Sequence, residues 1–425
     1  MPRNRLLQFN TIPYPLWRRQ WPGPLGGFVR RMSERYLAAE ADLKPPANAY
    51  AMAEFMARYG LLGEERAGAA RDAMRQHPAT VEIVAQTGLE ARPVENYMGK
   101  VRLPAQWSPQ EAVILTWPVM YPPLWNQHAQ MTEAITPVAG VQIIVPNALW
   151  ATAIQHVLTR RGKAEMSRVR FLQLPTDDIW VRDYGPIMGR GANGEQVAVK
   201  AIFDPLPEYP QAQDNAMPLA WAAYEEVPVK HLNLHLEGGN VWSDGAGTLI
   251  VSEQVYYANP DLTAETLPDR LRMALDFDKL IVTPRLDREE TGHVDLVIKL
   301  ADARTVLLCG SNVAYNRPNI EAARRLFENT TNAAGERYRV IELPMPKLYL
   351  NWGVYPVWRS YTNALTVNGR VLVPVYGVVE DIEALATYRQ AMPDYEIIPI
   401  DCSASINGGG GVHCLTKEVP GKMGD

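Results

Sequence analysis

From about residue 101 onward, apolar and polar positions alternate in short bursts. Runs rich in β-branched residues recur at Ala112–Thr116, Val141–Val145, Val197–Ile202, Leu249–Ser252, Leu280–Val282, Val294–Leu300, Thr305–Leu308, Asn363–Val367, Val371–Val375 and Glu396–Ile400. Runs of this length and composition read as strands. Helical patterns lie between some of them, at Asn319–Phe327 and Asp381–Met392. The alternation predicts an α/β fold. Residues 1–100 have a different texture, with Ala-, Met-, Arg- and Glu-rich stretches over 48–60 and 63–75. These read as a mainly helical extension that packs on the main body or on a second subunit, which makes a homo-oligomer through residues 1–100 an expectation.

A repeat emerges when the polar positions that open hairpins are aligned. Asp183 precedes Pro186–Met188, the turn Gly191–Gly194 and Val197–Ile202. Glu237 precedes Asn240–Trp242, the turn Asp244–Gly247 and Leu249–Ser252. His293 precedes Val294–Leu300, the turn Ala301–Arg304 and Thr305–Leu308. Asn363 precedes Ala364–Val367, the turn Asn368-Gly369 and Val371–Val375. Asn-Gly between alternating apolar runs is a strong hairpin signal. With Cys414 as the fifth landmark, positions 183, 237, 293, 363 and 414 lie 54, 56, 70 and 51 residues apart. Units arranged around an axis would bring these five side chains together at its centre.

Composition narrows the function classes. The chain has 425 residues, 47% hydrophobic and 21% charged, with net charge -5. That suffices for one large domain with a smaller one and excludes a disordered chain. The weak acidic balance argues against nucleic acid as a partner. Three cysteines (Cys309, Cys402 and Cys414) make no disulfide framework, which predicts a reducing, cytoplasmic setting. No apolar run reaches the roughly 18 residues of a membrane span. Pro13, Pro15, Pro22 and Pro24 interrupt any signal-like stretch. The first 36 residues carry seven arginines against one acid, Glu34, so a basic docking segment is the alternative to plain packing.

The candidate chemistry centres on Cys414, which follows four consecutive glycines, Gly408–Gly411. Such a run costs conformational entropy and suits backbone that must approach a ligand closely. His293 and Asp295, two apart in a predicted strand, would share one face. A histidine near a thiolate can protonate a leaving group and then activate water. His413, next to the nucleophile, would alternate to the other face and is read as structural. Glu237, beside two glycines, suits orienting His293 and stabilising its charged form. Arg182 is read as a scaffold partner of a carboxylate or a backbone carbonyl. Clustered carboxylates need a cation. No Cys-x-x-Cys, His-Glu-x-x-His or calcium-loop spacing is present, so no metal and no cofactor are expected. A guanidinium, whose planar fork of donors matches carboxylates, is the alternative, flanked by Asp183 and Asp295.

These motifs together resemble the agmatine deiminase and bacterial-type peptidylarginine deiminase family, within the guanidino-group-modifying pentein superfamily. The matching stretches are Arg102–Pro118, Asp178–Pro186, Glu237–Asn240, Gly292–Asp295, Ser360–Asn363 and Gly408–Thr416. The resemblance implies a five-bladed α/β propeller over residues 101–425 as the catalytic domain. It also implies a small guanidino substrate, Cys414 as nucleophile, His293 as acid and base, Glu237 as its partner, and Asp183 and Asp295 as guanidinium ligands. Asn363 would line the site, and Trp117 would stack on the substrate cation or sit in the core. Glu237 favours the agmatine branch, while Ala384–Ile397 looks more like the peptidylarginine branch. The stretch after Ile202, Phe203–Glu208, matches neither. An amidinotransferase, a non-catalytic binding member and a cysteine protease are the competing readings.

Overall fold

The structure, a computed structural model, describes residues 46–62, 67–76, 94–119, 121–204, 211–289, 291–351 and 355–421. The Arg-rich segment at residues 1–36 lies outside the described residues.

The strands fall into sheets of one repeated design. β1 (Gln110–Thr116), β2 (Gly140–Val145) and β3 (Val169–Gln173) run parallel. β4 (Ile187–Arg190) and β5 (Gln196–Ile202) form an antiparallel hairpin, and β6 (Val229–His235) adds to β5 in parallel. The same antiparallel-then-parallel order recurs in β7 (Trp242–Ser243), β8 (Thr248–Ser252) and β9 (Lys279–Thr283). It recurs again in β10 (Ile298–Asp302), β11 (Thr305–Cys309) and β12 (Arg339–Leu343). A separate hairpin, β13 (Tyr349–Asn351) with β14 (Tyr355–Val357), precedes the last repeat: β15 (Leu365–Val367), β16 (Arg370–Val375) and β17 (Glu396–Asp401). Finally β18 (Lys417–Pro420) runs antiparallel to β1, giving the first sheet the order β18-β1-β2-β3. That sheet therefore takes its opening strand from far along the chain.

The turns explain the hairpins. Asn368 and Gly369 both have positive φ, 40° and 83°, as a two-residue turn matched to strand twist requires. The parallel third strands need crossovers. These carry the helices Trp125–Ile135, Ala148–Arg161, Ala212–Glu225, Arg317–Asn329 and Glu380–Ala391. Helix Ala148–Arg161 begins where the Asn147 side chain accepts from the Trp150 N–H at 3.2 Å and ends at the left-handed Gly162.

One expectation fails locally. Val294–Leu300 is not a continuous strand: Val294–Leu296 forms a 3-10 turn, and the strand starts at Ile298. The described part of the N-terminal region contains the helices Ala49–Arg58 and Ala67–Gln76, which contact helix Ala148–Arg161 of the same chain. Met52 and Met56 are fully buried in one core with Trp150 and the β1 residues Val113 and Leu115. Burying each methionine contributes about 1.5–3 kcal/mol relative to exposure.

Candidate active site

Each landmark side chain sits at a short turn just before the opening strand of a sheet. Asp183 lies in the single helical turn Val181–Tyr184, before β4. Glu237 precedes the 3-10 turn Gly238–Asn240, His293 precedes the turn Val294–Leu296, and Cys414 lies in the turn His413–Leu415. Buried hydrogen bonds stitch these turns together. Asn240 Oδ1 accepts from the N–H groups of Ser252 at 2.9 Å and Val294 at 3.1 Å. Thr362 Oγ1 donates to the Asp295 carbonyl at 2.8 Å. Arg182 donates through Nε to the His413 carbonyl at 3.1 Å and pairs with Glu418 at 2.7 Å, the scaffold role read from sequence. Turn positions held this way are fixed relative to one another, as a multi-residue site requires.

The five landmarks converge. His293 lies between two carboxylates, with Nε2 at 3.0 Å from Glu237 Oε2 and Nδ1 at 3.5 Å from Asp183 Oδ1. Asn363 Nδ2 donates to Cys414 Sγ at 3.0 Å and to Asp295 Oδ2 at 3.1 Å. Its Oδ1 accepts from the N–H groups of Gly411 at 3.0 Å and Cys414 at 3.2 Å. Cys414 Sγ lies 3.8 Å from Asp295 Oδ2. Two buried atoms of this cluster, Asp295 Oδ1 and His293 Nδ1, have no hydrogen-bond partner. Gly239 keeps the centre open. A Cβ there would lie 2.6 Å from both Asp183 Oδ1 and His293 Nδ1, and 3.3 Å from Asp295 Oδ2. Gly410 likewise leaves no room for a side chain, since a Cβ would strike the Trp180 ring and lie 2.7 Å from Cys414 Cβ. The glycines are thus a steric demand of the site.

The charges follow from burial. Burial raises the Asp183 carboxyl to about 6, against the opposing pull of His293 and with a further push from Glu237. Burial likewise raises Asp295 to about 7, partly offset by His293. Burial works against charging His293, but Asp183 and Glu237 outweigh it and lift the imidazole to about 10. Burial, then Asp295 and Asp183, hold the Cys414 thiol well above its ordinary value. The unliganded site therefore has an imidazolium and a neutral thiol beside carboxylates that lack a full complement of positive charge.

Asp183, Glu237 and His293 have ligand atoms within 4.8 Å of one another, close enough to hold a metal ion. Yet each ring nitrogen of His293 already faces a carboxylate, and the raised imidazole carries protons on both. A metal would have to displace one of those protons before it could bind there.

Two sequence readings need correction. His293 and Asp295 do not share a strand face; a 3-10 turn carries both into the cluster. His413 does not point away from the site: its Nδ1 lies 2.7 Å from Asp295 Oδ2. Trp117 is 1% exposed and packs edge-on against Trp125 and His128, each at 5.5 Å. Among the described ring contacts and hydrogen bonds, none joins it to the Cys414 cluster. Trp180 and the buried Lys299 were not singled out from sequence. Trp180 sits within the Asp178–Pro186 motif, whereas Lys299 lies between the apolar Ile298 and Leu300 of its strand.

A model of the Porphyromonas-type peptidyl-arginine deiminase family matches residues 102–420. An agmatine deiminase of Pseudomonas putida is 30% identical over 356 residues, covering 75% of this chain and 95% of the relative. One of Pseudomonas fluorescens is 29% identical over 361 residues, with the same shares of 75% and 95%. Among solved structures, an agmatine deiminase of Enterococcus faecalis superimposes with a TM-score of 0.68 at 24% identity, over 77% of this chain and 100% of that one. A C. jejuni agmatine deiminase with substrate bound gives 0.67 at 18%, over 76% and 97%. At these identities the structural likeness speaks for the α/β pentein fold alone.

Proposed function

The chain belongs to the Porphyromonas-type peptidyl-arginine deiminase family and is a hydrolase of guanidino C–N bonds, and we propose that it converts an agmatine-like guanidinium to a ureido product and ammonia through Cys414. The observation that carries this reading is the buried Asp295 carboxylate, its Oδ1 unpartnered and its Oδ2 beside Cys414 and bordering the space that Gly239 keeps open toward Asp183. A guanidinium placed there gives Asp183 and Asp295 the cation they lack, each through charge-assisted hydrogen bonds. Its charge beside Sγ also favours the thiolate.

The thiolate attacks the central carbon. The His293 imidazolium gives a proton to the departing amine, which leaves as ammonia and generates an amidino-thiol adduct. Neutral His293 then takes a proton from water as it attacks that adduct, and the collapse returns the thiolate and releases the ureido product. Glu237 holds the imidazole and its charge through both steps. Asn363 supports Cys414 on its backbone N–H and its sulfur.

In this reading the five sheets are the blades of a propeller, residues 101–425 are the catalytic domain, and the helices before them brace it. Among the described residues no helix is long and apolar enough to cross a membrane. The three cysteines are free and buried, which supports a reducing, cytoplasmic setting. A screen of guanidino compounds read by ureido colour and by ammonia tests the proposal. Ureido product from agmatine supports it. Transfer of the amidino group to an added amine, without ammonia, would make the chain an amidinotransferase instead.

A further inference from the structure

A cleft opens beside the cluster, and none of the five landmark side chains lines it. Its walls include Arg182, Trp242, His413, Lys417 and Glu418. His413 belongs to both regions, since its Nδ1 also reaches Asp295. The ring is clamped: it stacks on Trp242 at 5.0 Å with an interplanar angle of 13°, and Lys299 Nζ sits 5.1 Å from the centre of the same indole. His413 is 1% exposed.

We propose that His413 is a positioning residue: its Nδ1–H, held against Asp295 Oδ2, fixes that carboxylate so that Oδ1 stays open to the substrate guanidinium. Three observations meet here. Oδ2 is fully engaged, by His413 at 2.7 Å and Asn363 at 3.1 Å, while Oδ1 of the same carboxylate has no partner. With Asp295 as the carboxylate, the 2.7 Å contact puts the proton on Nδ1. The surroundings then keep the ring from a second proton: burial first, then the cations Arg182, Lys299 and Lys417 and the charged His293, push it well below its ordinary value. The carboxylate Glu418, with Oε1 at 3.9 Å from Nε2, is already paired with Arg182. A ring held neutral is a fixed donor and not a proton shuttle.

Asp295 needs that donor. Apart from His413, Asn363 and the Cys414 thiol, the groups acting on it are His293, Arg182, Lys299 and Lys417 on the positive side and Asp183 and Glu289 on the negative. Loss of the donor raises the Asp295 carboxyl further. The charged form binds the guanidinium, so the acid limb of kcat/KM moves to higher pH.

This inference rests on the deiminase reading, and the test separates the two. His413→Asn places an amide N–H where Nδ1 was, while His413→Gln places it near Nε2. The Gln variant is expected to lose about tenfold or more in kcat/KM, mostly through KM, with its acid limb shifted upward by about one pH unit. The Asn variant is expected to keep most of the activity and the parent limb. Nitrogen-15 NMR of histidine-labelled protein needs no turnover and no folded variant. It is expected to show one imidazole fixed as the neutral Nδ1–H tautomer from about pH 5 to about pH 9. That signature in a protein without guanidinium hydrolysis would sink the deiminase reading and leave the carboxylate clamp standing. Equal behaviour of the Asn and Gln variants, or the lack of any such non-titrating imidazole, overturns the role given to His413.

Discussion

Replacing Glu237 with glutamine removes one charge at 3.0 Å from His293 Nε2 and keeps the side-chain length and a hydrogen-bonding oxygen. At an effective dielectric constant of about 20, that charge pair is worth roughly 5 kcal/mol. Glutamine retains part of it as a neutral hydrogen bond, so a loss of about 2.7 kcal/mol is expected, or about two pKa units. The imidazole, held at about 10 in the parent against the cost of burial, should fall to around 8. Protonated His293 is the acid for departing ammonia, so the alkaline limb of kcat/KM should move down by the same amount. Stability gives a second readout. His293 has a folded-state value raised above its unfolded one. Its stabilisation is therefore complete below about 6.5 and is lost as pH rises toward about 10. The stability gap between parent and variant should be widest below about pH 8 and close near pH 10. Rate profiles on a guanidino substrate and thermal melts across pH measure both, with an unreactive guanidinium titrated alongside. An unmoved alkaline limb combined with weakened inhibitor binding would refute the reasoning and make Glu237 a substrate ligand.

Further outcomes follow from the same site. Cys414→Ala should abolish turnover while leaving the melting temperature nearly unchanged. A haloacetamidine, whose cationic amidinium favours the Cys414 thiolate as the substrate does, should label Cys414 and spare Cys309 and Cys402, whose thiols burial raises with no such cation beside them; peptide mass mapping checks this. Asp183→Asn and Asp295→Asn should each cost at least roughly tenfold to a hundredfold in kcat/KM, the worth of a hydrogen bond to a charged group. Prolonged chelation should leave the rate unchanged, and rescue of a chelated, inactive enzyme by one divalent ion would contradict the assignment of the carboxylates to a cationic substrate.

Four landmarks were legible because each stands before a hairpin whose alternation and turn residues are explicit, as at Asn368-Gly369, and Cys414 because it follows the glycine run Gly408–Gly411. What lay hidden were the short turns holding the side chains. A 3-10 turn of three residues leaves no periodicity, so Val294 and His413 were read with a strand period of two. That reading still brought His293 beside Asp295 but turned His413 away. Helix Ala148–Arg161 is absent from the sequence reading: polar Thr152 and Gln155 fall among its apolar positions, and its one acidic or basic cluster, Arg160 and Arg161, lies at its end. Lys299 is buried against Trp242 by tertiary packing, which no local pattern in the Ile298–Asp302 run announces.

The pairing of β18 with β1 joins Gln110 to Pro420. Cys414 stands just before that last strand, so the β18–β1 pairing ties the turn carrying the thiol to the opening strand of the first sheet. A nascent or proteolytically shortened chain that lacks β18 carries the thiol without that tie, or carries no such thiol at all. The β18–β1 pairing is a contact of high sequence separation, one that must meet its loop-closure entropy before the contact rewards it.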